Sequence, residues 1–219
     1  MFFLTKELYF PPVEQANSSG MLAIGGDLSV ERLILAYQSG IFPWYSDNEP
    51  IIWWAPPKRM VVFPKEYKVP KTMRNIINRG QFQVTLDKNF SEVINFCKNI
   101  ERVGQAGTWI NNDMVEAYTQ LHNLGIAKSV EVWHKRQLVG GLYGVDLGNG
   151  IFCGESMFSK MSNASKVAFI WLVKHLKKYD YLLLDCQVYN EHLALLGAHE
   201  ISREEYMQIL EKSFKNNKE

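Results

Sequence analysis

Two spacings of apolar residues alternate along this chain. Residues 81–86 alternate in the manner of a half-buried strand, with Phe82, Val84 and Leu86 on one face. Residues 89–101 then place Phe90, Val93, Ile94 and Cys97 at helical spacing. Residues 71–79 and 113–124 read as helices ended by Gly80 and Gly125. Residues 129–133 and 138–145 read as a hairpin turning over Lys135-Arg136. A short strand is predicted at 60–63, a buried strand at 181–187, and helices at 191–196 and 202–214. The longest coherent stretch is 150–176: a strand at 151–157, a polar turn, and a helix with Ala164, Val167, Ala168, Trp171 and Leu172 on one face. Ser162 or Asn163 stands where an N-cap belongs, because a short polar side chain there can accept from the free amides of the first turn.

Residues 1–59 have a different texture. Pro11-Pro12, residues 17–20 and Gly25-Gly26 mark irregular backbone. One helix is clear, capped by Ser29, faced by Leu33, Ile34 and Tyr37, and ended by Gly40. Residues 42–59 hold four prolines and three tryptophans, which excludes regular helix and leaves an ordered loop with a strand at 51–54. We therefore expect a small N-terminal domain, 1–59, and a second domain, 60–219. From residue 81 the second domain runs β-α-α-β-β-β-α-β-α. That is the element order of the N-acetyltransferase (GNAT-type) fold, an α+β architecture with helices flanking a mixed sheet; order alone licenses no function.

Composition narrows the picture. The chain has 219 residues, 47% of them hydrophobic, which is ample for a core. The formal net charge of +1 excludes a wholesale polyanion binder but leaves room for a local basic patch. Residues 58–79 carry seven basic residues against Glu66 alone, and no acid lies between Glu155 and Asp180 while five lysines do. Each run fits either a solvated face or a phosphate track. Cys97, Cys153 and Cys186 lack metal-ligand spacing and sit in apolar runs, as small core residues of a reduced compartment do. The apolar start is too short for a signal peptide, and no run approaches a membrane span of ~20 residues. A soluble cytoplasmic protein is expected, monomeric, with no metal and no bound cofactor.

Chemistry concentrates at strand ends. Glu155 is placed at the end of its strand, where α/β proteins put loops that act, although an exposed glutamate beside a core helix gives the same pattern. Asp185 and Gln187, two apart on a strand, share a face. If their strand lies beside 151–157, Glu155, Asp185 and Gln187 converge on a cleft walled by Phe152, Met157, Phe169, Leu172 and Leu184. Asp185 also fits a buried carboxylate held by backbone amides, and Gln187 an ordinary strand-end residue. Trp44, Trp53 and Trp54 fit either packing between domains or a stacking platform. The turn SKMSNAS, residues 159–165, has no glycine, whereas a coenzyme A pyrophosphate cradle is Gly-rich at this place. A CoA-dependent N-acetyltransferase is disfavoured on that ground. A non-catalytic RNA-binding module that uses the tryptophan and lysine surfaces is another reading.

The segments GGDLS (25–29), GIFPWYS (40–46), WWAPPKR (53–59), GTWI (107–110), GGLYGV (140–145), IFCGESMFSKMSNASK (151–166), LLDCQ (183–187) and LGAHEISREEY (196–206) resemble, in order, the bacterial leucyl/phenylalanyl-tRNA–protein transferases. The resemblance runs from about residue 20 to about residue 206. It implies an enzyme that moves Leu or Phe, and less well Met, from aminoacyl-tRNA to the α-amine of proteins beginning with Arg or Lys, marking them for N-degron proteolysis. It implies a side-chain pocket of Leu142, Phe152, Met157, Phe169, Leu172, Leu176 and Leu184. Trp44 and Trp109 would hold the terminal adenosine, and Lys58, Arg59, Lys68, Lys71, Arg74, Lys160 and Lys166 would follow the tRNA phosphates. Within this reading Asp185 anchors the incoming α-ammonium, Gln187 relays or positions, and Glu155 faces the cationic acceptor side chain.

Overall fold

The computed structural model describes residues 2–100 and 110–216. The chain first builds a small sheet. β1 (Phe2–Leu4) runs parallel to β2 (Met21–Gly25), and β4 (Ile52–Trp54) lies antiparallel between β2 and the short β3 (Phe42–Pro43). Only β4 was predicted, because Gly and Pro break the alternation that would reveal the other three. α1 (Val30–Gln38) bridges β2 and β3 with Leu33, Ala36 and Tyr37 inward, and Gly40 turns the chain out at φ +74°. Ser29 holds the N-cap position, but its side chain makes no cap bond. The buried Arg32 donates to the carbonyls of Thr5 (2.9 Å) and Glu7 (3.0 Å), tying the first residues to α1. Trp53 is fully buried, edge-on to Phe10, and donates to the Gly25 carbonyl, so it is core rather than platform.

The chain then enters a seven-stranded sheet at β5 (Lys58–Val62). There follow α2 (Lys71–Asn78), β6 (Gln83–Leu86), α3 (Phe90–Asn99), α4 (Asn112–Asn123), β7 (Ala127–His134), β8 (Gln137–Asp146) and β9 (Ile151–Ser159). α5 (Ala164–Lys178), β10 (Leu183–Asp185), α6 (Glu191–Ala194), β11 (His199–Ser202) and α7 (Arg203–Asn216) complete it. The spatial order is β11-β5-β10-β9-β8-β7-β6, and among the described residues of this sheet β9 with β10 is the one parallel pair. The element order predicted from residue 81 holds through α6; β11 was missed. The β7–β8 turn puts both Lys135 and Arg136 at positive φ, as a two-residue hairpin of this hand requires.

Helices cover both faces of this sheet. On one face Val93, Ile94, Met114 and Leu121 of α3 and α4 pack in a cluster that continues through Ile41, Phe42 and Leu33 into the small sheet. On the other, Ala168, Leu172 and Val173 of α5 pack against Val62, Leu142 and Leu184. The two sheets thus share one core. The buried Glu131 of β7 accepts the amides of Lys88 (3.1 Å) and Asn89 (3.2 Å), capping α3 where Asn89's own side chain makes no cap bond. Asn163 does not cap α5 either: it sits at φ +69°, and Ser159 Oγ accepts the Ser165 amide at 3.3 Å instead. Among the described residues no helix is long and apolar enough to cross a membrane.

One irregularity decides where the site forms. β8 pairs Tyr143 with Ser156 and Gly144 with Gly154, so Glu155 has no residue opposite it. This bulge switches the parity of β9. Phe152 and Met157, an odd number of residues apart, both pack on the α5 side, while Cys153 and Phe158 pack on the other. Gly144 opposite the bulge has no room for a side chain: an added Cβ would lie 2.3 Å from the Cys153 carbonyl oxygen and 2.4 Å from a Phe152 ring carbon. Gly144→Ala is expected to cost about 1–3 kcal/mol by overpacking. Urea unfolding checks this, and an unchanged midpoint would contradict it.

Candidate active site

β9 and β10 run side by side only from the Ile151–Leu183 pair to the Cys153–Asp185 pair. β9 then continues to Ser159, while the chain after Asp185 turns away through Gln187 at φ +65°. A cavity of about 680 Å³ opens where they part. Leu142, Met157, Phe169, Leu172, Leu184 and Leu193 form its apolar wall, and Glu155, Gln187, Asn190 and His192 its polar side. Phe42, Pro43 and Trp44 of the small sheet close one side. Two residues expected in the wall are not there. Phe152 and Leu176 are buried behind it, the first under Gly144 and the second one turn beyond Leu172 on α5.

Glu155 lies in mid-strand rather than at a strand end, and the bulge turns it, buried, into the cavity lining. Its Oε1 accepts from Gln187 Nε2 at 2.9 Å and its Oε2 from the Tyr118 hydroxyl at 3.1 Å. Burial pushes this carboxyl up to about 7; the hydroxyls of Tyr37 and Tyr118 and the Gln187 amide favour the anion, and Asp185 opposes it. A raised carboxylate pKa works against stability as pH rises. The unfolded chain ionises Glu155 near 4.5, so stability should fall between there and about 7. Glu155→Gln removes this dependence. Between pH 5 and pH 8 the variant should gain on the native protein by up to about 3 kcal/mol in urea unfolding. A difference that does not change with pH would contradict the assignment.

Asp185 requires a correction. It is fully buried and does not line the cavity. Its Oδ1 accepts from Arg59 Nε (2.8 Å) and from the Gln187 amide (2.8 Å), and its Oδ2 from Arg59 Nη2 (2.7 Å) and the Tyr206 hydroxyl (3.1 Å). With these bonds made, it cannot meet an incoming ammonium directly; it holds the Gln187 backbone in its left-handed turn. Asp185 and Gln187 do not share a strand face, because β10 ends at Asp185.

Arg59 is corrected with it. The guanidinium is buried, forked onto Asp185, sandwiched between the rings of Phe42 and Tyr206 and bonded to the Gly40 carbonyl (3.0 Å), so it meets no tRNA phosphate. Burial opposes its charge, but the adjacent Asp185 carboxylate overrides this and holds its pKa above the ordinary value. The residue joins both sheets, β10 and α7 at one point. The sequence places it in a run of basic residues, and nothing in that run distinguishes it from its exposed neighbours.

Trp44 stands at the cavity rim, 38% exposed, its ring tilted against Trp54. Trp109 lies outside the described residues. Lys68, Lys71 and Arg74 are exposed on and before α2; Lys58 is exposed and 3.5 Å from Glu200. Lys160 lies over the Phe96 ring, and the half-buried Lys166 is close enough to His192 to lower its pKa, after burial. The two basic runs lie on neighbouring elements, for Lys177 Nζ donates to the Lys65 carbonyl at 2.8 Å.

Other chemistries fit the cavity poorly. Cys186 lines it, but burial, then Asp185, push its thiol well up, which keeps it from acting as a thiolate. At the start of α5 the Ala164 and Ser165 amides are already bonded to Met161 and Ser159, so this turn offers them to no pyrophosphate. Among the described residues no group of three or more His, Cys, Asp or Glu is placed to hold a metal ion. Sequence reasoning missed Tyr37, Tyr118, Asn190 and His192 as neighbours of the site; the tyrosines fall on core faces of their helices, and only the fold brings their hydroxyls to Glu155.

Residues 61–211 match the family model described as leucyl/phenylalanyl-tRNA protein transferase, and residues 26–57 match that of its N-terminal domain. A leucyl/phenylalanyl-tRNA–protein transferase of Flavobacterium johnsoniae is 63% identical over 96% of this chain and 99% of its own. One from Flavobacterium psychrophilum is 56% identical over 97% of this chain and 100% of its own. Among solved structures, a GCN5-related N-acetyltransferase from Kribbella flavida is similar at a TM-score of 0.40 and 10% identity, covering 77% of this chain and 60% of that one, too distant to support an argument.

Proposed function

Given that the chain belongs to the leucyl/phenylalanyl-tRNA–protein transferase family, an aminoacyltransferase family, we propose the following division of labour within its reaction. The enzyme takes Leu or Phe, and less well Met, from aminoacyl-tRNA. It joins that residue by a peptide bond to a protein beginning with Arg or Lys, and the new N-terminus marks the product for N-degron proteolysis. It works as a cytoplasmic monomer.

The observation that carries this reading is an apolar cavity with a hydrogen-bonded carboxylate and amide in its lining. The wall of Leu142, Met157, Phe169, Leu172 and Leu184 takes the amino-acid side chain and discriminates by shape, at about 1–3 kcal/mol per misplaced methylene. Trp44, with Trp109, stacks on the terminal adenosine, worth ~1–3 kcal/mol per base. Lys58, Lys68, Lys71, Arg74, Lys160 and Lys166 meet acceptor-stem phosphates, which positions the RNA without reading its sequence.

The donor is an activated ester, and the nucleophile is an α-amine whose ordinary pKa of about 7.7–8.0 leaves a useful neutral fraction. Orientation therefore supplies most of the rate. Gln187 positions the amine through its side-chain oxygen; its amide has no titratable proton in this range and is not a general base. Asp185 acts through Gln187 rather than on the substrate. Glu155 meets the cationic side chain of the acceptor's first residue. The amine attacks the ester carbonyl, the peptide bond forms as the bond to the ribose oxygen breaks, and that oxygen receives a proton.

Incubation with radiolabelled Leu-tRNA and peptides beginning with Arg or with Ala tests the reading. Label should appear on the Arg peptide alone. Binding of charged and uncharged tRNA alike, without transfer to either peptide, would instead indicate a tRNA-binding module.

A further inference from the structure

Four side chains from separate parts of the chain form one hydrogen-bonded line into the cavity lining. Tyr37 of α1 meets Tyr118 of α4 hydroxyl to hydroxyl, Tyr118 donates to Glu155 of β9, and Gln187 donates to the other oxygen of the same carboxylate. Both tyrosines are buried, and neither lines the cavity. Their rings fill core volume that phenylalanine would fill without burying a hydroxyl. The line also has a direction. With Tyr118 donating to Glu155, its oxygen is left to accept, so Tyr37 is the donor between them. Burial, and after it the Glu155 charge, hold both phenols well above their ordinary pKa, so they remain donors through neutral pH.

We infer that Tyr118 and Tyr37 are positioning residues for the transfer reaction: their two hydroxyls fix the Glu155 carboxylate against Gln187, facing the acceptor's cation. This rests on the role proposed above for Glu155. It gives α1 of the N-terminal part a share in acceptor use that no proximity to substrate would suggest. The other groups acting on this carboxylate do not substitute for the pair. Asp185 on β10 works against its charge, the Cys153 thiol on β9 stays protonated, and Arg59 on β5 is committed to Asp185. His192 of α6 lines the same cavity and is held toward its neutral form.

The test is the pH profile of kcat/KM for a peptide beginning with Arg, at saturating Leu-tRNA, in native protein, Tyr118→Phe, Tyr37→Phe, the double variant and Glu155→Gln. In Glu155→Gln only the limb of the acceptor's own amine should remain. In Tyr118→Phe the Glu155 limb should move up by about one pH unit, the worth of a hydrogen bond to a charged group. Tyr37→Phe should move it up as well, because the Tyr37 hydroxyl also favours the Glu155 anion, and the double variant should move it at least as far as either single variant. Above the shifted limb kcat/KM should return to the native value. Native profiles in both Phe variants, with Glu155→Gln impaired, would overturn the inference and leave the role of Glu155 standing. An equal loss at every pH would overturn it too, marking the tyrosines as structural. Native acceptor use by Glu155→Gln would instead remove the reading beneath it. Should Tyr118→Phe fail to fold, the shift or its absence in Tyr37→Phe decides.

Discussion

Asp185→Ala is expected to cost about 3–5 kcal/mol of folding stability, a large share of what a domain this size holds. The cost arises from the partner left behind. Arg59 is buried against Asp185 through two bonds of 2.7 and 2.8 Å, and without the carboxylate its charge stays in the core unpaired. A paired apolar replacement, Arg59→Met with Asp185→Leu, removes both charges and should recover much of the loss. Urea unfolding of the single and paired variants checks this. A paired variant as unstable as the single one would mean that the other bonds of this cluster, to Tyr206 and the Gly40 carbonyl, matter more than the charges. Transfer should remain low in the paired variant, because the Gln187 amide has lost the oxygen that holds its turn.

Gln187→Gly should separate stability from activity. Gln187 is held at φ +65°, a conformation that costs a non-glycine residue of order 1 kcal/mol and that glycine adopts freely. The substitution removes that strain together with the side chain that bonds Glu155. Melting temperature should hold or rise, while turnover falls about 100-fold from lost positioning of the nucleophile. A stable variant with native turnover would show that the side chain contributes nothing to the reaction.

The sequence was informative wherever one periodicity ran unbroken. The inward faces of α3 and α5, the hairpin of β7 and β8, and the order of elements from residue 81 were all readable from spacing. Of the small sheet only β4 was, because the other strands are two to five residues long and lie among Gly and Pro. β11 was lost because four residues, HEIS, leading into a helix offer too little alternation to register. The site was legible in part. Leu142, Met157, Phe169, Leu172 and Leu184 come together around Glu155 and Gln187. The exchange of roles between Arg59 and its basic neighbours was hidden, since one inward position on a strand decides it. Nor could alternation foresee the bulge that puts Phe152 behind the wall and turns Glu155 into the cavity lining: the extra residue shows only when β8 is laid beside β9.

The most direct measurement replaces the acceptor's charge and nothing else. Citrulline matches arginine in shape but is neutral. With Leu-tRNA as donor, a peptide beginning with Arg should be labelled roughly 10- to 100-fold faster than one beginning with citrulline, the worth of a charge-assisted hydrogen bond. That gap should close in Glu155→Gln. Equal labelling of the two peptides by the native protein would contradict a carboxylate that selects the acceptor in this cavity.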